Sequence, residues 1–136
     1  MKCKLSLIIP TYNNSNYLKR LIIHLLNINQ SDDYEIIIVD DASTDDTKNM
    51  LKKFKHESKI HIIYLNKNHG VSYARNIGII NSSGTYIGFL DSDDDITYDF
   101  FDNIYSILNY DFDCIVFGTK MVYVDHEKNY LPNFSG

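Results

Sequence analysis

The sequence predicts an α/β fold: an open, mostly parallel, twisted sheet with helices on both faces. Three observations carry that expectation. Short apolar runs, Leu5 to Pro10, Glu35 to Asp40, Ile60 to Leu65 and Thr85 to Leu90, recur along the chain at strand length. Each is followed by apolar residues at helical spacing, and each ends in a cluster of polar residues. Strict alternation of strand and helix implies right-handed crossovers and a parallel sheet, and ligands of such sheets bind beyond the carboxyl ends of the strands.

Leu5 to Pro10 is nearly all apolar and closes on a proline, as a strand buried on both faces would. A turn over Thr11 to Ser15 leads to Leu18, Leu21, Ile22, Leu25 and Leu26 at helical spacing, with Asn14 or Ser15 as the N-cap. Glu35 to Asp40 is a second buried strand, and Ser43 and Asp46 stand in capping-box spacing before Met50, Leu51 and Phe54. Ile60 to Leu65 is the third strand. The loop Asn66 to Gly70 then opens a helix with Val71, Ala74 and Ile77 or Gly78 on one face, whose small residues predict tight packing. Thr85 to Leu90 reads as a fourth, buried strand. Phe101, Ile104, Tyr105 and Leu108 form a fourth helical stripe, and Cys114 to Val124 reads as a fifth strand. The segment from Asp125 to Gly136 shows little periodicity and no closing element, which suggests a chain cut short.

The 136 residues amount to one domain, and 44% hydrophobic with 23% charged residues is enough apolar material for a core. A net charge of −5 and the lack of any Lys/Arg run argue against a nucleic-acid partner. An anionic ligand must then be reached through a metal or through backbone amides. Cys3 and Cys114 lie far apart and match no metal-ligand spacing, so buried free thiols in a reducing compartment are expected. Met1 to Leu5 runs directly into a strand pattern, and the longest apolar runs fall far short of a membrane span; a soluble cytoplasmic protein is expected.

Four polar loops converge on one rim of such a sheet: Thr11 to Asn14, Asp40 to Asp46, Asn66 to Gly70 and Asp91 to Asp95. The last holds four carboxylates in five residues. Asp91 and Asp93, two apart on an extended segment, would repel unless a cation or a basic side chain lay between them, and a hard divalent ion with oxygen ligands is the fitting neutraliser. A solvated acidic turn capping the next helix is the plain alternative, and Asp95 is read as that cap. Dinucleotide and P-loop sites need glycine signatures that are missing after the first strand. An EF-hand needs glycine where Ile96 stands and a helix where a strand runs.

The segments LSLIIPTYNNSNYL, IIIVDDASTDDT, NHGVSYARNIGI and GTYIGFLDSDDD, in this order and spacing, resemble the amino-terminal nucleotide-sugar-binding half of the family 2 inverting glycosyltransferases. That resemblance spans about Lys4 to Val124 and implies the GT-A fold. It implies a nucleoside diphosphate sugar, UDP-linked by preference, used with Mn²⁺ or Mg²⁺. Carried over by position, Pro10, Thr11 and Tyr12 would pack on the nucleobase, and Asp41 would accept a hydrogen bond from a uracil-like ring NH. Gly70, Arg75 and Asn76 match the third motif, with Arg75 reaching the diphosphate or bracing the acidic cluster. Asp91 and Asp93 match the D-x-D: Asp93 as the direct metal ligand, Asp91 toward the ribose or a metal-bound water, and Asp94 as a further ligand.

The resemblance implies one in-line displacement, in which a general base takes a proton from the acceptor hydroxyl. In the family that base is a carboxylate from a later motif, expected beyond Gly136, so no catalytic residue is assigned and the single domain is read as a donor-binding half. Surface polysaccharide assembly follows from the resemblance, as does room for peripheral attachment at the inner face of the cell membrane in a longer protein. Donor sugar, acceptor and oligomeric state are not written in these residues. Two other readings stand beside it: a non-catalytic nucleotide-binding module, and a receiver-type phosphoacceptor domain in which Asp40, Asp41 and Asp91 would form the acidic site.

Overall fold

The structure is a computed structural model that describes residues 4–108, 110, 113–114, 119–122 and 127–130. Its elements are β1 (Leu5–Thr11), α1 (Ser15–Ile28), β2 (Tyr34–Asp40), α2 (Thr47–Lys52), β3 (Ile60–Tyr64), α3 (Val71–Ile80), β4 (Tyr86–Phe89), α4 (Phe100–Leu108), β5 (Thr119–Val122) and β6 (Glu127–Tyr130). Two compact units divide the chain, Met1–Phe101 and Asp102–Gly136.

In the first unit β1 to β4 form one parallel sheet in the order β3-β2-β1-β4. The chain steps outward from β1 to β3 and then returns across the sheet to pair β4 with the free side of β1. Right-handed crossovers therefore put α3 on the opposite face from α1 and α2. Side-chain alternation agrees. Ile8, Ile37 and Val39 pack with Ala74 of α3, joined by Ile63, Leu65 and Ile77. Tyr34, of opposite parity to Ile37 on β2, donates its hydroxyl hydrogen bond to the Asn29 carbonyl just past α1, at 2.8 Å. Leu18, Leu21, Ile22 and Leu25 give α1 a fully buried stripe. The predicted sheet with helices on both faces is thus present. The receiver-type reading fails on strand order, because β1 lies between β2 and β4 where that fold would place β3 beside it.

α3 sits close to the sheet, as its small residues predict. A Cβ on Gly78 would lie 2.4 Å from Ile8 Cγ2. Val71, expected on the same face, is instead half-exposed at the first turn. β4 also departs from expectation: it is an edge strand with Ile87 and Phe89 on its exposed side, because no strand of the sheet pairs with its outer edge. An apolar run marks a strand but does not say whether both faces are covered.

In the second unit β5 and β6 form an antiparallel hairpin. The expected fifth parallel strand over Cys114 to Val124 is therefore only partly recovered, as the four residues of β5, and β6 lies in the stretch read as unpatterned. Hairpin pairing runs through backbone groups and needs no apolar period. Cys114 is a free thiol and exposed, correcting the expected burial, since it lies outside any strand; Cys3 lies outside the described residues.

At the amino-terminal end of the sheet, away from the four loops, Glu35 is buried on the α3 face. Its Oε1 accepts from Ser6 Oγ at 2.6 Å, Ser83 N at 2.7 Å and Ser83 Oγ at 2.9 Å, and Oε2 lies 3.2 Å from His61 Nε2. One carboxylate thus joins β1, β2, β3 and the turn before β4. Burial pushes the Glu35 carboxyl up, but the Ser6 and Ser83 hydrogen bonds and the His61 charge outweigh it, leaving the group below the ordinary glutamate range. A lowered native value means stability that is present above the unfolded value of about 4.3 and is lost as pH falls through the native one. Glu35→Gln is expected to lower the melting temperature at neutral pH and to flatten its decline below pH of about 4.5 relative to wild type. Parallel melting curves against pH for both proteins would show that Glu35 carries no such linkage.

Candidate functional site

The carboxyl ends of β1 to β4 carry the four polar loops on one rim. Pro10 and Thr11 are the last residues of β1, buried in the sheet rather than in the loop. Thr11 Oγ1 is buried without a hydrogen-bond partner among the described residues. Tyr12 is exposed and is the aromatic surface this loop offers.

Asn13 follows in the left-handed region, at φ 56°. Its backbone N–H donates to Ser43 Oγ at 2.9 Å, and its Oδ1 accepts from the N–H groups of Thr44 at 2.8 Å and Asp45 at 3.2 Å. The loops after β1 and β2 are thereby fastened together. Asp45 accepts from Thr47 N and Oγ1 and from the N–H of Ser15, the first residue of α1. Burial pushes the Asp45 carboxyl up, and these hydrogen bonds bring it below the ordinary range. The expected capping box of Ser43 and Asp46 does not form. Ser43 donates from both N and Oγ to Asp40 Oδ1, and neither Asn14 nor Asp46 makes a side-chain cap.

Asp41 is 4% exposed and bridges two loops: Oδ1 accepts from His69 N and Oδ2 from Gly70 N, both at 2.8 Å. Each oxygen retains acceptor capacity, so the predicted contact with a ring NH remains open to it. Gly70 has φ 94° and ψ 164°, and a Cβ there would meet nothing within 4 Å, so glycine stands at this position for its backbone and not for space. The His69 ring stacks on Tyr73, with centroids 4.1 Å apart. Sequence reasoning set His69 aside, and no local signal marks it, because its link to Asp41 runs through a backbone amide.

After β4 the acidic stretch is a turn, not the extended segment expected. Asp94 N donates to Asp91 O and Asp91 N to Asp94 Oδ2, each at 3.0 Å, so the chain folds back on itself across Ser92 and Asp93. The turn brings carboxylate oxygens of Asp91, Asp93 and Asp94 within 4.8 Å of one another, all three residues being exposed. Arg75 Nη2 donates to Asp91 Oδ1 at 3.0 Å, the bracing contact expected of it, while Arg75 Nε is buried without a partner among the described residues. Asn76 is exposed on α3. Burial raises the Asp94 carboxyl, reinforced by the charges of Asp91 and Asp93 against the opposing Asp91 N–H bond. Three hard oxygen donors on an exposed turn fit Mg²⁺ or Mn²⁺ in donor type.

Asp95 does not cap a helix, since α4 begins five residues later. Its Oδ1 lies 2.9 Å from His24 Nδ1 and its Oδ2 3.6 Å from Arg20 Nε, both on α1. Asn14 Nδ2 donates to Ser92 Oγ at 2.9 Å.

A parallel sheet with a β1/β4 switch point, a rim of four polar loops and an acidic turn at the end of β4 together define a transferase of the GT-A kind. The chain belongs to glycosyl transferase family 2, whose profile matches residues 6–134. Among curated relatives, it is 45% identical over 95 residues to the poly(ribitol-phosphate) β-N-acetylglucosaminyltransferase TarP of Staphylococcus aureus, covering 67% of this chain and 28% of that protein. It is 37% identical over 115 residues to the glycosyltransferase GlyA of Streptococcus pneumoniae, covering 83% and 16%. The solved structure of S. aureus TarS 1–349 with UDP-GlcNAc superposes with a TM-score of 0.71 at 28% identity, over 78% of this chain and 31% of that one. The Pyrobaculum calidifontis mannosyltransferase PcManGT, solved with GDP-mannose and Mn²⁺, shares the fold at a TM-score of 0.73 and 21% identity, over 82% and 34%. This chain therefore spans only a minor part of the length of each of these relatives.

Ala42, between the buried Asp41 and the Ser43 bridge, adopts φ 62°. A side chain there costs about 1 kcal/mol against glycine in the folded state, partly offset by the freedom glycine gains on unfolding. Ala42→Gly is expected to raise the melting temperature by about 2 °C. A drop of similar size in a thermal melt would show that the left-handed backbone is not strained.

Proposed function

We propose that this chain binds the donor of a metal-dependent, inverting sugar transfer, a nucleoside diphosphate sugar with UDP as the preferred nucleotide. The observation that carries the reading is the convergence of Asp91, Asp93 and Asp94 within 4.8 Å on the rim that also holds Asp41. The likeness to TarS, solved with UDP-GlcNAc, supports UDP as the nucleotide. Tyr12 and Thr11 take the nucleobase side, and Asp41, already rigid through His69 and Gly70, offers a ring NH its remaining lone pairs. Thr11 Oγ1, buried and unpaired among the described residues, gains a partner in that arrangement.

Asp93 is assigned as the principal ligand of Mn²⁺ or Mg²⁺, with Asp94 beside it and Asp91 reaching the ion directly or through water. A bound divalent ion supplies positive charge where the diphosphate leaves. Arg75 holds Asp91 in place and faces the same region with a guanidinium whose other donors are available to phosphate oxygens. The general base is assigned to a carboxylate beyond Gly136 in sequence, so the 136-residue chain alone is expected to bind donor and to transfer nothing. The names of TarP and of the teichoic acid biosynthesis protein GgaA support a role in surface polysaccharide assembly, at the cytoplasmic side of the membrane. No helix among the described residues is long and apolar enough to cross a membrane.

Calorimetric titration of UDP, with and without Mn²⁺, tests the reading on wild type and Asp93→Ala. Mn²⁺ is expected to tighten UDP binding to wild type by about tenfold or more, equivalent to about 1.4 kcal/mol, and to have little effect on Asp93→Ala. Equal and metal-independent affinity in both proteins would remove the cation site, and GDP bound more tightly than UDP would overturn the nucleotide assignment.

A further inference from the structure

The acidic turn touches two helices on opposite faces of the sheet. Arg75 of α3 takes Asp91, at the start of the turn. The α1 side holds it twice more, through Asn14 to Ser92 and through His24 and Arg20 to Asp95. Between these two α1 contacts lie Asp93 and Asp94. Ser92 is 4% exposed and Ile96 8%, so the turn is pinned by buried residues at both ends while its carboxylates face outward.

The geometry points to Asn14 and His24 as positioning residues for the cation-binding carboxylates, acting through Ser92 and Asp95; the inference rests on the cation site proposed above. Asn14 stands at the N-cap position of α1, where its side chain would ordinarily accept from the helix's own amides. It makes no such cap. Its amide reaches the Ser92 hydroxyl across the gap between the β1 and β4 loops, and the first amide of α1 is satisfied by Asp45 instead.

His24 is nearly three turns further along α1, and its Nδ1 meets Asp95 Oδ1 at 2.9 Å. Asp95 is thereby drawn to α1 and away from its three acidic neighbours. Without that tether a fourth carboxylate would be free to swing into the group and compete for the same ion, or to add its repulsion to the empty cluster. The two contacts therefore do separate things: Asn14 fixes the height of the turn, and His24 keeps Asp95 out of it. Neither residue touches the ion or the nucleotide.

The test is Mn²⁺ affinity of the 136-residue chain in the presence of saturating UDP, measured for wild type, Asn14→Ala, Ser92→Ala, His24→Ala and His24→Asn. Asn14→Ala and His24→Ala are each expected to weaken Mn²⁺ binding by about fivefold, less than the tenfold to hundredfold typical of groups that touch a ligand itself. UDP affinity without metal should stay within about twofold of wild type, consistent with an effect on the ion alone. Ser92→Ala, approaching the same hydrogen bond from the turn, should reproduce Asn14→Ala. His24→Asn, whose side-chain N–H can stand where Nδ1 stands, should recover most of the loss. A purely structural role would lower the melting temperature and metal-free UDP affinity together, with no recovery specific to Mn²⁺, and that pattern overturns the inference. Wild-type Mn²⁺ affinity in both alanine variants overturns it as well and leaves the cation site standing. A wild-type chain that takes up no Mn²⁺ removes the site and the inference together.

Discussion

How closely α3 lies on the sheet governs every contact at the rim on its side. Gly78 leaves no room for a side chain against Ile8, and Ala74 fills the layer beside Ile37 and Val39. That contact sets the height of the whole helix. Gly70, at its start, must present an amide to Asp41, and Arg75, one turn in, must reach Asp91; both distances are about those of ordinary hydrogen bonds and would open together if α3 were lifted. Interiors are packed too densely for one additional methyl group to be absorbed without movement, so a small residue deep in the sheet layer controls polar geometry at the surface.

Electrostatics divides the same rim into two regimes. Around Asp41 and Asp45 the carboxylates accept from backbone amides, and their charge is held by dipoles that are already in place. Around Asp93 and Asp94 the charges face one another, with one arginine on Asp91 and two α1 side chains on Asp95. Such a group is most stable when something positive enters it. The sheet order puts the two regimes side by side. The reversal between β1 and β4 opens a gap at the carboxyl ends, which suits a ligand that has an uncharged ring at one end and phosphates at the other.

Most of the fold was legible in the sequence because it rests on periodicity. The runs at Leu5, Glu35 and Ile60 became strands within a residue or two, and the helices followed where Leu18, Met50 and Ala74 placed them. What failed to show were properties that depend on neighbours in space. Thr85 to Leu90 looks as apolar as a central strand, yet β4 is an edge. Short polar residues near helix starts were read as caps, and the structure uses nearly all of them between loops: Asn13 to Thr44, Asn14 to Ser92, Ser43 to Asp40. Asn, Ser and Asp at such positions suit either role equally, and only the tertiary partner decides. The acidic group was visible as composition, while its shape, a turn with Asp95 drawn off to α1, depended on residues about seventy positions away.

The pairing of β4 with β1 has a consequence for the order in which the molecule can be assembled. Leu5 at one end of the central strand must wait for Tyr86 before its second edge is covered, whereas β1, β2 and β3 pair as they are synthesised. Closing that long loop is the slow, entropically costly step of a parallel sheet. Until it happens, the apolar edge of β1 is open to other chains, and the acidic turn has no position at all. The charge-bearing part of the rim therefore forms last, on a sheet whose other three strands are already in place.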